Sequence, residues 1–181
     1  MKYALIIAGS GGQGVMSIGI TFAQSAAEGG KYASFMPTYG PEQRGGSAKC
    51  TVIISDEEII SPLPKKCKVL IAMNEQSYKK FIPELEENGV LILNSSRVTS
   101  EIKREDIKVI SIAADDIALE LGDSKISNII LIGALIGYTD ILDPKVFLAS
   151  IEKKFAKKSP EIVESNKAAL EKGIQLGKAA K

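Results

Sequence analysis

Two glycine-rich segments gather the residues of this chain best suited to bind or orient another molecule. The first is Gly9-Ser10-Gly11-Gly12-Gln13-Gly14, which follows an apolar run and precedes a helical one. Gly9, Gly11 and Gly14 satisfy the G-x-G-x-x-G spacing, in which a tight turn and a helix N-terminus aim backbone amides at an anion. The second is Tyr39-Gly40-Pro41-Glu42-Gln43-Arg44-Gly45-Gly46, between two strand-like runs. Pro41 stiffens it, its glycines allow a close approach by another surface, and Glu42 and Arg44 fix opposite charges at one point. Each segment also has a plainer reading. The first can be a sharp strand-to-helix turn that only lets the helix pack on the sheet. The second can be a surface turn whose Glu and Arg neutralise each other.

A dinucleotide site needs, besides the glycines, an acid near the end of the second strand, about 20 residues further on. That end reads Phe35-Met36-Pro37-Thr38, and Glu28 lies earlier, at the end of the helix. The fingerprint is half present. A phosphate-bearing ligand or a partner's backbone suits the first segment better than a complete NAD site.

The rest of the composition narrows the chemistry further. The chain has no histidine, so the commonest general acid–base and metal ligand is absent. Cys50 and Cys67 are its only cysteines and have no CxxC spacing, which argues against a zinc site, a disulfide framework and an iron–sulfur cluster held by this chain. No residue stands out as catalytic and no metal ligand set is expected. With a net charge of +1, the chain has no field to gather nucleic acid or acidic lipid. The apolar start is too short for an export segment, and residues 126–138 are too short for a membrane span, so a cytoplasmic location is expected. The length and the 45% apolar content suit one domain over residues 1–181.

The elements that must position these segments alternate. Strands are predicted at 3–8, 32–36, 49–55, 67–73, 90–93 and 107–112, with a short hairpin arm at 57–61. Helices are predicted at 15–28, from the Asn74 cap to Gly89 with a kink or restart at Pro83, and at 115–121, 125–138, 144–155 and 160–178. Asp143 with Pro144, and Ser159 with Pro160, read as N-cap and N1 pairs. Residues 178–181 read as a frayed end. The alternation predicts a three-layer α/β/α fold with a mixed, mostly parallel sheet and a helical C-terminal part.

Taken in order, the two glycine segments and then Cys50-Thr51-Val52-Ile53-Ile54-Ser55-Asp56 resemble the gamma subunit of the 2-oxoacid:ferredoxin oxidoreductases. The resemblance continues through Asp56-Glu57-Glu58-Ile59-Ile60-Ser61-Pro62, Ala72-Met73-Asn74 and Asn94-Ser95-Ser96, and more weakly into residues 166–173. It is more like the 2-oxoglutarate and branched-chain subgroup than the pyruvate subgroup.

This resemblance implies a Rossmann-like, domain-III-like subunit of a heteromeric enzyme. That enzyme oxidatively decarboxylates a 2-oxoacid with coenzyme A as substrate, giving an acyl-CoA, carbon dioxide and reduced ferredoxin. Thiamine diphosphate, magnesium and iron–sulfur clusters are expected on the partner alpha, beta and ferredoxin-like delta subunits. This chain has no Gly-Asp-Gly segment or cysteine run to hold them. The resemblance further implies that Gly9, Gly11, Gly12, Gln13, Gly14, Tyr39, Gly40, Glu42, Arg44 and Gly45 face coenzyme A or the partner subunits, the choice between the two being open. Both turns are expected to leave one rim of the sheet. Alone, the chain is expected to self-associate and to be inactive. The competing readings are a stand-alone nucleotide-binding protein and a non-catalytic scaffold.

Overall fold

A computed structural model describes residues 1–39 and 46–181. Six strands form one sheet: β1 (Lys2–Ser10), β2 (Tyr32–Tyr39), β3 (Ser47–Ser55), β4 (Cys67–Ala72), β5 (Leu85–Asn94) and β6 (Lys108–Ile112). Their order is β2-β3-β1-β4-β5-β6. Neighbours β1, β4, β5 and β6 are parallel, whereas β3 runs antiparallel to both β1 and β2. The sheet is mixed and mostly parallel, as predicted.

Side chains of a strand alternate between its two faces, and β1 uses both. Leu5 and Ile7 join the larger core with α1 (Val15–Glu28), and Ile6 and Ala8 join the smaller core under α2 (Glu75–Phe81). The larger core also takes α3 (Ala114–Glu120), α4 (Ser127–Thr139), α5 (Pro144–Phe155) and α6 (Pro160–Ala179). Three layers result, one helical layer much thicker than the other. Cys50, Val52 and Ile54 share the α1 face of β3. Phe22 of α1 meets Phe147 of α5 edge to face at 5.8 Å between ring centres.

Helix α4 is buried on all sides through 129–137, because the sheet lies beneath it and α6 lies along it. Gly133 and Gly137 of α4 face Gly173 and Gly177 of α6 so closely that backbone meets backbone. A Cβ on Gly133 would sit 2.7 Å from the Leu170 carbonyl oxygen and 3.1 Å from the Gly173 Cα. Among the described residues, no helix is long and apolar enough to cross a membrane.

Four predicted boundaries differ from the structure. Residues 57–61 form no hairpin arm but part of an irregular connection between β3 and β4. The helix predicted to end at Gly89 ends at Phe81; Pro83 sits in a 3-10 turn (Ile82–Glu84), and β5 starts at Leu85. Proline has no amide to continue the helix, and Gly89 lies inside the strand. The C-terminus is not frayed: α6 runs to Ala179, and Lys181 pairs with Asp140 beyond it. Of the two predicted caps, Asp143 accepts from the Lys145 amide at 2.8 Å, but Ser159 makes no side-chain capping bond.

Glu75, in the first turn of α2, ties down residues 99–100. Its carboxylate accepts from the Ser100 hydroxyl and the Thr99 amide and pairs with Lys79 at 3.0 Å. The Ser100 hydroxyl, then Lys79, hold its pKa at about 2, below the ordinary 4.5. A depressed folded pKa gives stability that is present above pH 4.5 and lost as pH falls towards 2. Glu75→Gln should therefore be less stable than the parent in urea at pH 7, with the difference closing near pH 2. Gly133→Ala should cost about 1–3 kcal/mol in the same urea measurement, because the added methyl has no space along α6.

Candidate functional site

The first glycine segment and the two flanks of the second, Tyr39 and Gly46, meet at one rim of the sheet. Ser10 pairs with Ser47 and Tyr39 with Ala48, which sets the ends of β1 and β2 beside the start of β3. The Gly11 amide donates to the Gly46 carbonyl at 3.2 Å and joins the flanks directly. Tyr39 stands 71% exposed there. Gly40, Glu42, Arg44 and Gly45 lie outside the described residues.

Within the first segment the side chain of Gln13 folds back under its own loop. Its Oε1 accepts from the Ser10 amide at 2.7 Å and from Asn74 Nδ2 at 2.9 Å, and its Nε2 donates to the Met73 carbonyl at 3.3 Å. Gly9 has to be a glycine for this, since a Cβ would lie 2.7 Å from Gln13 Oε1. Gly14 takes the left-handed conformation (φ 74°) at the N-cap of α1, with Asn128 where a Cβ would point. Gly11 and Gly12 are exposed. The side chain of Gln13 is thus spent on the protein. The first amides of α1 have no carbonyl one turn back to bond, and Gly14 brings no side chain to cap them. Among the described residues they have no side-chain cap.

The sheet order removes the rest of a dinucleotide site. In a doubly wound fold the acid that reads the ribose ends the strand beside the glycine turn. Here β3 is inserted between β1 and β2. That displaces the end of β2 by one strand spacing, about 4.8 Å, and β2 carries no carboxylate.

Outward from Gly12 and Gly14 runs a basic groove. A cavity of about 240 Å³ is bounded by the loop, Ser17, Lys125, Asn128 and Lys154. It shares Lys125, Phe155 and Asn166 with a neighbour of about 290 Å³ that adds Lys158 and Asp123. Lys154 reaches from α5 to α1, where its Nζ donates to the Ser17 carbonyl at 3.1 Å, to the Ser17 hydroxyl and to Thr21 Oγ1 at 2.8 Å. All three partners are neutral, and desolvation holds its pKa below the usual lysine range. A third cavity, about 330 Å³, lies on the other side of Lys154, where Glu28 pairs with Lys153. Lys125, Asn128, Lys154 and Asn166 were missed in the sequence because they lie on four separate elements and converge only in the fold.

Nothing among the described residues could hold a metal cluster. Burial pushes the thiols of Cys50 and Cys67 up to about 12, which leaves both protonated and inert.

Residues 4–176 match the family model described as pyruvate ferredoxin/flavodoxin oxidoreductase. The chain is 36% identical over 171 residues to the ketoisovalerate oxidoreductase subunit VorA of Methanothermobacter thermautotrophicus, covering 93% of this chain but only 35% of that relative. It is 31% identical to the 2-oxoglutarate synthase subunit KorC of Methanocaldococcus jannaschii, covering 98% of this chain and 95% of that one. Among solved structures, the gamma subunit of a keto/oxoacid ferredoxin oxidoreductase from Geobacter sulfurreducens superposes with a TM-score of 0.87 at 28% identity, covering 100% of this chain and 99% of that one. The chain belongs to the pyruvate ferredoxin/flavodoxin oxidoreductase family, as a gamma-type subunit.

Gln13→Ala should destabilise the chain by about 1–3 kcal/mol, because the Ser10 amide and Asn74 lose their acceptor. Hydrogen exchange at the Ser10 amide should speed up with it.

Proposed function

We propose that this chain is the gamma subunit of an enzyme that oxidatively decarboxylates a 2-oxoacid, of the 2-oxoglutarate or branched-chain class, to its acyl-CoA while reducing ferredoxin. Its part is to join the larger subunits along the glycine rim and to close over the phosphates of coenzyme A. When bound, thiamine diphosphate with magnesium supplies carbanion stabilisation, and iron–sulfur clusters supply electron transfer. Among the described residues, both thiols are buried and no acidic or sulfur ligands are grouped, which leaves those groups to the partner subunits.

The observation that carries the coenzyme A reading is the groove beside the N-terminus of α1. Uncapped amides, Lys125 and Lys154 border one cavity. Lys154 has only neutral partners among the described residues, so an arriving phosphate gains its full charge. The interface part rests on the exposed Tyr39 at the rim. Arg44, within that segment, is proposed to pair with a carboxylate or phosphate of the assembled enzyme.

In the assembled enzyme, Lys154→Ala should raise the KM for coenzyme A about tenfold or more, the weight of one charge-assisted hydrogen bond. The KM for the 2-oxoacid should not move. An unchanged coenzyme A KM in an intact complex would remove the closure role. Arg44→Glu should weaken recovery of partner subunits in a pull-down while leaving the circular dichroism of the isolated chain unchanged.

A further inference from the structure

The connection between β3 and β4 is longer than the fold requires. These strands flank β1, so their ends lie two strand spacings apart, about 10 Å. The eleven residues 56–66 between them could reach about 35 Å when extended. The slack is held outward. Ile60 is 96% exposed and Leu63 64%. Met1 and Tyr32, also exposed, stand at the same end of the sheet, since Lys2 and Tyr32 both pair with Ser55. Exposed apolar side chains are ordinary singly, but a patch at one end marks a contact surface.

The order of residues along this arm indicates what covers it. Glu57 and Glu58 precede the apolar stretch, and Lys65 and Lys66 follow it. Among the described residues, none of these four makes an ion pair, whereas Asp56 is already paired with the N-terminus and with Lys31. The Asp106 carboxyl is held below its usual range first by Arg104 and least by Lys66. About a midpoint between Ser61 and Pro62 the sequence is complementary to its own reverse. Glu57 falls opposite Lys66, Glu58 opposite Lys65, and Ile60 opposite Leu63. A two-fold axis imposes that rule, with residue i meeting j and j meeting i.

We propose that residues 56–66 are a self-complementary dimer contact. Two copies of this chain lay their arms antiparallel, Ile60 against Leu63, with the acidic end of each on the basic end of the other. Pro62 and Pro64 keep the arms from forming a backbone ladder, so side chains make the contact. Eleven residues a side is fewer than the 20–30 or so of a stable interface, which makes the dimer weak and concentration-dependent. The arm leaves the end of the sheet opposite the glycine rim, so a second copy and the partner subunits can bind together.

Sedimentation velocity on the full chain over a wide concentration range tests this. The parent should shift from monomer to dimer as concentration rises. Ile60→Asp should weaken the dimer at least tenfold, as should Glu57→Lys with Glu58→Lys, each with unchanged far-ultraviolet circular dichroism. Adding Lys65→Glu and Lys66→Glu to the latter pair reverses the arm's polarity and should restore the dimer, which a folding defect could not do. A parent that stays monomeric throughout, a dimer that survives both arm variants, or a reversed arm that fails to recover would each overturn the proposal. Arm variants that lose only the partner subunits would assign the surface to them instead.

Discussion

One side-chain amide fixes the geometry of the rim. Gln13 reaches the end of its own strand at Ser10, the end of β4 at Met73, and Asn74, which caps α2. The carbonyl of Gln13 accepts from Asn128 of α4 at 3.4 Å. Each such bond contributes only about 1 kcal/mol net. Together they leave the loop one arrangement, because the crevice between β1 and β4 is filled by the protein's own polar groups. In parallel sheets that crevice is the usual ligand site. With it plugged, ligand chemistry moves outward to the helix N-terminus and the groove beyond.

The groove exists because the C-terminal helices stack tightly on the same face as α1. Glycines at 133, 137, 173 and 177 let α4 and α6 approach backbone to backbone. That approach carries Asn128 of α4 and Asn166 of α6 to the glycine loop. The Phe22–Phe147 contact seats α5 on α1, which lets Lys154 reach Ser17 and Thr21. Lys153, one residue earlier, instead pairs with Glu28 at 3.3 Å. Neighbouring lysines on one helix thus have opposite surroundings: one is neutralised, while the other keeps its charge among hydroxyls and a carbonyl.

The antiparallel β3 separates this fold from a dinucleotide-binding one. Its insertion parts the ends of β1 and β2, and it pairs antiparallel with both. The same strand leaves the sheet at its far end beside Met1 and Tyr32, where the arm to β4 begins. The two ends of β3 therefore present two different surfaces, one polar and glycine-lined, the other apolar and flanked by charge.

Local order was legible in the sequence. Helices α1 and α5 run as predicted, since Gly14, Gly29, Asp143 and Pro144 punctuate them locally. The absence of a ribose-reading acid was legible as well. Pro83 was read as a kink or restart, but not the early return to strand at Leu85, because that stretch pairs with β4, a partner distant in sequence. The role of Gln13 as a plug and the assembly of Lys125, Asn128, Lys154 and Asn166 were not legible. The sequence by itself determined most of the elements and the first glycine turn, because backbone freedom and side-chain period act between near neighbours. Only the tertiary structure decided which polar groups are spent on the fold and which remain to meet a ligand, because hydrogen-bond partners 60 to 137 residues apart are chosen by packing.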